Sequence, residues 1–267
     1  GKRRANYARV KRLLVAIKKN KNLQLILVVG ASATLFRFGE IHKIIKKDKF
    51  KIDDRLFSVV EGDDLIGMSK TIGLSIIELS NIIRKKKPDL VVAIADRYEN
   101  LSVAIAASYM NIPVAHIQGG ETTGSIDEKV RHAITKMSDI HFVSTKRAKN
   151  FVKNMGEVGS AVFLTGCPSI DLAKIKDYSL PQNFFNNTGS GANFYTNENY
   201  ILVVQHPVTT EFNDANKQID QTIEAIKNFH AKTKYKVIWL WPNIDAGSDT
   251  FSKKIIMFNV PNSDYVR

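Results

Sequence analysis

The chain has 267 residues, of which 44% are hydrophobic and 24% charged, an ordinary globular composition that excludes disordered and collagen-like classes and suits one large domain or two small ones. Its single cysteine, Cys167, excludes an intramolecular disulfide and a cysteine-cluster metal site, and fits a reducing, cytoplasmic compartment. The net charge of +13 resides in residues 1–51, where 15 Lys and Arg face only Glu40 and Asp48. Such a front end could draw nucleic acid, anionic membrane or a phosphorylated substrate, or be a solvated lysine-rich helix face. Neither zinc-finger spacing nor aromatic–basic interleaving accompanies it. Clean apolar runs such as Leu25 to Val29 are far short of the roughly 20 residues that span a bilayer, and no signal peptide is visible. The chain opens at Gly1 without a methionine and without the apolar strand that usually begins an α/β domain, which predicts a piece of a longer protein.

In chain order, Tyr7 to Lys19 predicts a helix with Val10, Leu13, Leu14 and Ile17 on one stripe. Leu23 to Val29 reads as a strand ending at Gly30, and Ile66 to Lys87 as a helix carrying Ile72, Ile76, Leu79 and Ile83. A strand follows from Leu90 to Ala95, then an alanine-rich helix from Tyr98 to Met110, a strand from Pro113 to Ile117 closed by Gly119 and Gly120, and a helix from Asp127 to Met137. Ile140 to Val143 and Ala161 to Leu164 are two further strands. Such short, nearly continuous apolar runs suit a parallel sheet covered on both faces. The order predicts a doubly wound α/β domain over residues 1–177. Residues 178–199, rich in Asn, Gly, Ser and Thr, read as a linker or surface loop. Residues 200–267 restart the rhythm: strand Tyr200 to Gln205, helix Asn216 to His230, strand Val237 to Trp241, helix Ser248 to Met257. Two strands and two helices predict a second Rossmann-like domain that is incomplete within this chain.

Ligands of parallel α/β sheets bind beyond the carboxyl ends of the strands. Four strand ends here carry polar groups: Asp96 and Arg97; His116, Gln118, Gly119, Gly120 and Glu121; Gln205 and His206; Asn243 and Asp245. Taken singly, an Asp at a strand end is usually a helix cap and Gly-Gly a turn; their recurrence along one edge points to a site. The nucleophile elbow, the phosphate loop, the Gly-x-Gly-x-x-Gly fingerprint and His-x-x-x-His spacing are all missing. What remains is acid–base chemistry, with Asp96, Glu121, Asp127 and Glu128 beside His116, His132 and His206. Arg131 stands four residues after Asp127, a spacing that lets it orient that carboxylate.

These blocks resemble the hydrolysing UDP-N-acetylglucosamine 2-epimerase family. The matching stretches are Arg4-Ala5-Asn6-Tyr7, Gly30-Ala31-Ser32-Ala33, Asp96-Arg97-Tyr98-Glu99, the run PVAHIQGGETTGSIDEKVRHAITK from Pro113 to Lys136, Gly166 to Asp171, Gln205 to Thr210, and Pro242 to Ser248. The resemblance implies a GT-B-like fold of two Rossmann-like domains, with a UDP-sugar between them and no cofactor or metal. It implies that a base takes the C2 proton as UDP leaves C1, and that water then adds to the glycal, releasing N-acetylmannosamine for sialic-acid-type sugar synthesis. By position it implies catalytic roles for Asp96 and Asp127, and substrate contacts for Arg4, Arg97, His116, His206 and Asn243. His206 is also expected to take part in catalysis.

Two departures matter. Gln118 stands where many members have a glutamate assigned acid–base work, and an amide cannot take a proton at neutral pH. Either Glu121 carries that role, with Gln118 and Arg131 as substrate-binding partners, or the work is divided differently. The family's late Gly-Asn-Ser-Ser block does not occur before Arg267. The alternatives are the same chemistry on a UDP-diacetamido-trideoxyhexose, as in a legionaminic-type route, or a basic nucleic-acid-binding protein. The expected enzyme is cytoplasmic, binds neither nucleic acid nor membrane, and is a homo-oligomer, dimer or tetramer.

Overall fold

The computed structural model describes residues 5–34, 41–60, 64–175, 179–242 and 245–267. They form two compact units, one of Lys2–Val60 with Met68–Lys176 and the other of Glu61–Gly67 with Asp177–Arg267. Every strand pairing among the described residues is parallel, as the unalternating apolar runs predict.

The first unit contains α1 (Ala5–Lys19), β1 (Val28–Val29), α2 (Ile41–Lys47), β2 (Asp54–Arg55) and most of α3 (Leu65–Lys86). Then come β3 (Val91–Ile94), α4 (Tyr98–Tyr109), β4 (Val114–Ile117), α5 (Ile126–Lys136), β5 (Ile140–Val143), α6 (Lys146–Asn154), β6 (Val162–Leu164) and α7 (Pro168–Ile175). β3 to β6 make a four-stranded sheet in chain order, and β1 with β2 a two-stranded one. Ala93 and Val114 of the larger sheet are fully buried, as are Ala104 and Ala107 of α4 and Ile134 of α5. Side chains that small let α4 approach the sheet closely, and Leu79, Ile82 and Ile83 of α3 complete the same cluster.

The expected strand from Leu23 to Val29 pairs only at Val28 and Val29. Leu25 and Leu27 still pack on Tyr7, Leu14, Ile41 and Ile45, so their apolarity serves the core rather than a ladder. β2, α2, α6 and α7 were not legible in the sequence. β2 is the charged pair Asp54–Arg55, and α6 buries only Ala148 and Val152 among nine residues.

In the second unit β7 (Tyr200–Val204) and β8 (Lys236–Leu240) pair in parallel, with α8 (Ala215–Thr233) and α9 (Ser248–Asn259). Ile219, Val237, Phe251 and Val266 are fully buried in one cluster. Within the Asn- and Gly-rich stretch, Phe185 and Phe194 are buried and their rings stack at 4.8 Å. The Arg267 guanidinium donates to the carbonyls of Thr188, Gly191 and Ala192.

The carboxyl edge of the four-stranded sheet is shaped by backbone strain. Ala95, just past β3, has φ +59°, and Gln118, just past β4, has φ +65°. Left-handed backbone at a non-glycine residue costs about 1–3 kcal/mol and persists only where the surroundings impose it. Two glycines follow Gln118. A Cβ on Gly119 would lie 2.8 Å from His116 Nδ1, and one on Gly120, at φ +80°, would lie 2.5 Å from the Ala148 carbonyl oxygen of α6. Only glycine lets the chain pass between the strand end and α6 and then turn toward Glu121.

Gly120→Ala is therefore expected to destabilise the protein by roughly 2–4 kcal/mol through clash and strain together, against about 1 kcal/mol for strain alone. Gly124→Ala supplies the comparison, because Gly124 has φ +71° but nothing within 4 Å of its would-be Cβ. Urea denaturation of both variants checks this; equal losses would contradict the packing account.

Candidate active site

The site grows from the carboxyl edge of β3 and β4. Asp96 follows the strained Ala95, and its Oδ2 accepts a hydrogen bond from Nη2 of Arg131 on α5. Arg131 is 2% exposed. Its Nη1 donates to the Glu121 carbonyl oxygen at 2.6 Å and lies 3.4 Å from Thr123 Oγ1. A buried guanidinium is costly unless its donors are satisfied, and here they are satisfied by the loop after β4 and the carboxylate after β3. The expectation that Arg131 orients Asp127 is corrected: the guanidinium turns to Asp96, 35 residues away. Asp127 lies exposed in the first turn of α5, where its N–H donates to the Ser125 hydroxyl.

The loop carrying Glu121 is tied down from below. The Glu128 carboxylate accepts from the backbone N–H of Gly124 at 2.7 Å and of Thr123 at 2.5 Å. Those bonds hold it below the usual carboxylate range. Glu128 is thus a cap of its own loop. The Glu121 side chain is half-buried. Neither its carboxylate nor Asp96 Oδ1 is hydrogen-bonded among the described residues. Both are therefore open to a ligand proton.

His116, expected to touch substrate, is fully buried. Its Nε2 lies 2.9 Å from the Ala95 carbonyl and its Nδ1 3.0 Å from Thr135 Oγ1. A carbonyl only accepts, so Nε2 carries the proton; the Thr135 hydroxyl, whose one proton also points to the Arg131 carbonyl, lies 3.0 Å from Nδ1. Burial pulls the ring down to about 4, and it is neutral at pH 7. With both nitrogens engaged, His116 holds the strained carbonyl before Asp96 rather than reaching outward. His132 stacks on Phe151 at 4.9 Å, and burial lowers its pKa.

Gln118 is 9% exposed and its Nε2 donates to Cys167 Sγ at 3.3 Å. Gln118 Oε1 and Ser144 Oγ are each buried without a hydrogen-bond partner among the described residues. Ser144 was missed in the sequence, where it resembles any residue before a helix cap. Arg97, expected to contact substrate, forms a bidentate pair with Glu99, both bonds at 3.1 Å. In the second unit, His206 is exposed two residues past β7, and Pro207 beneath it packs on Gly247. Arg4 and Asn243 lie outside the described residues. Among the described residues no three His, Cys, Asp or Glu side chains converge as a metal site.

The model of the UDP-N-acetylglucosamine 2-epimerase family matches residues 15–264. The chain is 32% identical over 244 residues to the UDP-N,N'-diacetylbacillosamine 2-epimerase (hydrolyzing) of Legionella pneumophila, covering 91% of this chain and 63% of that protein. It is 26% identical over 265 residues to a UDP-N-acetylglucosamine 2-epimerase of Neisseria meningitidis, covering 96% and 64%. The chain thus spans just under two thirds of the length of these curated relatives. It shares its fold with the crystal structure of the Neisseria meningitidis UDP-GlcNAc 2-epimerase bound to UDP-GlcNAc, at a TM-score of 0.76 and 17% identity, over 99% of this chain and 69% of that one.

The His116 arrangement makes a pH prediction. The folded ring titrates near 4 and an unfolded one near 6.5. The unfolded chain therefore binds the extra proton between those values. Stability tied to His116 is full above pH 6.5 and is lost as the pH falls toward 4, up to about 3 kcal/mol. Urea denaturation at pH 7 and pH 4.5 should show that loss, and His116→Gln should reduce it. An equal loss in the variant would contradict the assignment.

Proposed function

Because the chain belongs to the UDP-N-acetylglucosamine 2-epimerase family, we propose that its protein is a hydrolysing 2-epimerase acting on a UDP-linked 2-acetamido sugar. The reading taken first is UDP-N-acetylglucosamine converted to N-acetylmannosamine and UDP. The observation that carries the assignment of groups is the double grip of Arg131, which holds the Asp96 carboxylate with one nitrogen and the Glu121 main chain with the other. Two acidic residues from different strand ends are thereby tied to one guanidinium, Asp96 by its carboxylate and Glu121 by its main chain.

In the proposed reaction one carboxylate takes the C2 proton while the C1–oxygen bond breaks and its electron pair leaves with UDP. The C1–C2 alkene then takes hydroxide from water at C1 and a proton at C2 on the opposite face, which inverts C2. Inversion needs two proton-handling groups on opposite faces of the ring. Asp96 and Glu121 supply them; Asp127, at the start of the helix that carries Arg131, is the next carboxylate along the same edge. Gln118 cannot take a proton, and its buried Oε1 serves as an acceptor for a sugar N–H or O–H. Arg4, Arg97, Asn243 and His206 are assigned to the substrate by resemblance, Arg97 after exchanging its grip on Glu99. His206 is also kept in the catalytic group on that basis.

A second reading keeps the chemistry and changes the sugar to a UDP-diacetamido-trideoxyhexose. It is favoured by the 32% identity to a relative named for that substrate. Release of UDP from the two sugars, measured side by side, decides between them.

Asp96→Asn should lower kcat by about 100-fold or more with UDP affinity little changed, the usual scale for an acid–base group. Glu121→Gln should lower kcat more than it raises KM, and Gln118→Ala the reverse, the pattern of a lost uniform binding contact. Steady-state kinetics on the full protein test all three. Abolished turnover in Gln118→Ala with near-normal Glu121→Gln would overturn the division of roles.

A further inference from the structure

In a parallel α/β unit each helix runs back against the strands, so its last turn lies where the next strand begins. The last turns of α1, α2 and α3 therefore gather at the amino edge of the first unit, the end opposite Asp96 and Glu121. Lys18 Nζ, near the end of α1, donates to the Lys49 carbonyl just past α2 at 2.7 Å. Lys85 and Lys86, at the end of α3, lie 3.5 and 3.8 Å from Asp54 Oδ2 of β2.

This edge is cationic beyond what helix ends call for. Residues 18–23, 46–57 and 84–90 hold twelve Lys and Arg against four Asp. The helix dipole favours cations in the last turn only; Lys21, Lys49, Lys51 and Lys87 lie beyond it. Three of the four acids are already matched: Asp48 by Lys11 at 2.7 Å, Asp53 by Lys51 at 3.2 Å, and Asp54 by Lys85 and Lys86. Lys19, Lys21, Lys46, Lys47, Arg84 and Lys87 make no ion pair with a described residue.

Apolar tips stand among these cations. Leu23, Phe57 and Leu90 are 55%, 69% and 43% exposed. Tyr109, 84% exposed, ends α4, and the Pro113 carbonyl that follows accepts from the Val91 N–H beside Leu90. A cavity of about 520 Å³ opens between the end of α2 and β2, with Lys46, Lys51 and Arg55 around Phe50, Ile52 and Phe57. We propose that the amino edge of the first unit is a docking surface for an anionic lipid bilayer. Each lysine near such a surface strengthens the hold about fivefold. The cavity receives a headgroup phosphate, Tyr109 settles at headgroup depth, and Phe57 and the leucines enter just below it. A nucleic acid fits this face less well. Ten of the twelve cations are Lys, which lacks the planar fork that grips phosphate at two points, and exposed leucines gain nothing from a sugar–phosphate backbone. Docking here turns the carboxyl edge of the same strands away from the lipid, so the proposal is independent of the reaction. It departs from the expectation of a chain without membrane contact.

Co-sedimentation of the full protein with vesicles tests it, with circular dichroism to confirm that each variant is folded. At about 0.1 M NaCl, phosphatidylcholine vesicles containing about one third phosphatidylglycerol should bind at least about tenfold more tightly than phosphatidylcholine alone, and about 0.5 M NaCl should remove most of that difference. Lys47→Glu with Lys87→Glu should weaken binding at least about tenfold. Lys217→Glu with Lys227→Glu makes the same charge change on exposed lysines of α8 in the second unit and should leave binding within about threefold of wild type. Phe57→Ser with Tyr109→Ser should weaken it about threefold or more. Equal binding to both kinds of vesicle, equal losses in the two lysine reversals, or an undiminished serine variant would overturn the proposal. So would a single-stranded oligonucleotide of about 20 residues that binds more tightly than the anionic vesicles.

Discussion

A buried guanidinium governs this edge of the molecule. Arg131 is 2% exposed, and a cation taken that far from water is stable only if its donors are used. Its partners come from two places in the chain: the Asp96 carboxylate after β3, and the Glu121 carbonyl and Thr123 hydroxyl in the loop between β4 and α5. Removing any of them leaves charge or donors unmatched, so the groups must fold together. The polar edge of the sheet is thereby fixed by electrostatics, whereas its body is fixed by apolar packing.

The strained backbone fits the same requirement. Ala95 and Gln118 adopt positive φ at successive strand ends. In each case the strain is offset by neighbours that need the residue in that position. His116 donates to the Ala95 carbonyl and its other ring nitrogen lies against the hydroxyl of Thr135 on α5, the helix that also carries Arg131. Gln118 is held by its own N–H on the Phe142 carbonyl and by its side chain on Cys167. A neutral, buried imidazole is well suited to this, because it offers one donor and one acceptor in fixed directions without a charge to solvate.

Much of the fold was legible in the sequence for a simple reason. Strands such as Val91–Ile94 and Val114–Ile117 are short apolar runs bounded by Pro, Gly or Asp, and helices such as α3 and α8 carry an apolar stripe. Elements without those signals, such as the charged β2 and the lysine-rich α6, were not legible. In the site, Asp96, Gln118 and Glu121 could be singled out because strand ends are where polar residues gather. Their partners could not. Local spacing pointed from Arg131 to Asp127, but burial sent the guanidinium to a carboxylate 35 residues away. A histidine beside two glycines looked outward-facing. The missing Cβ of Gly119 is what leaves room for its ring.

The proposed function has Arg131 act on the reaction through Asp96, and a double-mutant cycle measures this most directly. kcat/KM is determined for the wild type, Arg131→Lys, Asp96→Asn and the double variant, with thermal denaturation confirming that each is folded at the assay temperature. A lysine keeps the charge but cannot grip both partners. If the two residues act as a unit, the double variant should be about as slow as Asp96→Asn alone, with a coupling energy of about 2 kcal/mol or more. Losses that simply add would contradict the account and leave Arg131 as a structural residue independent of the reacting carboxylate.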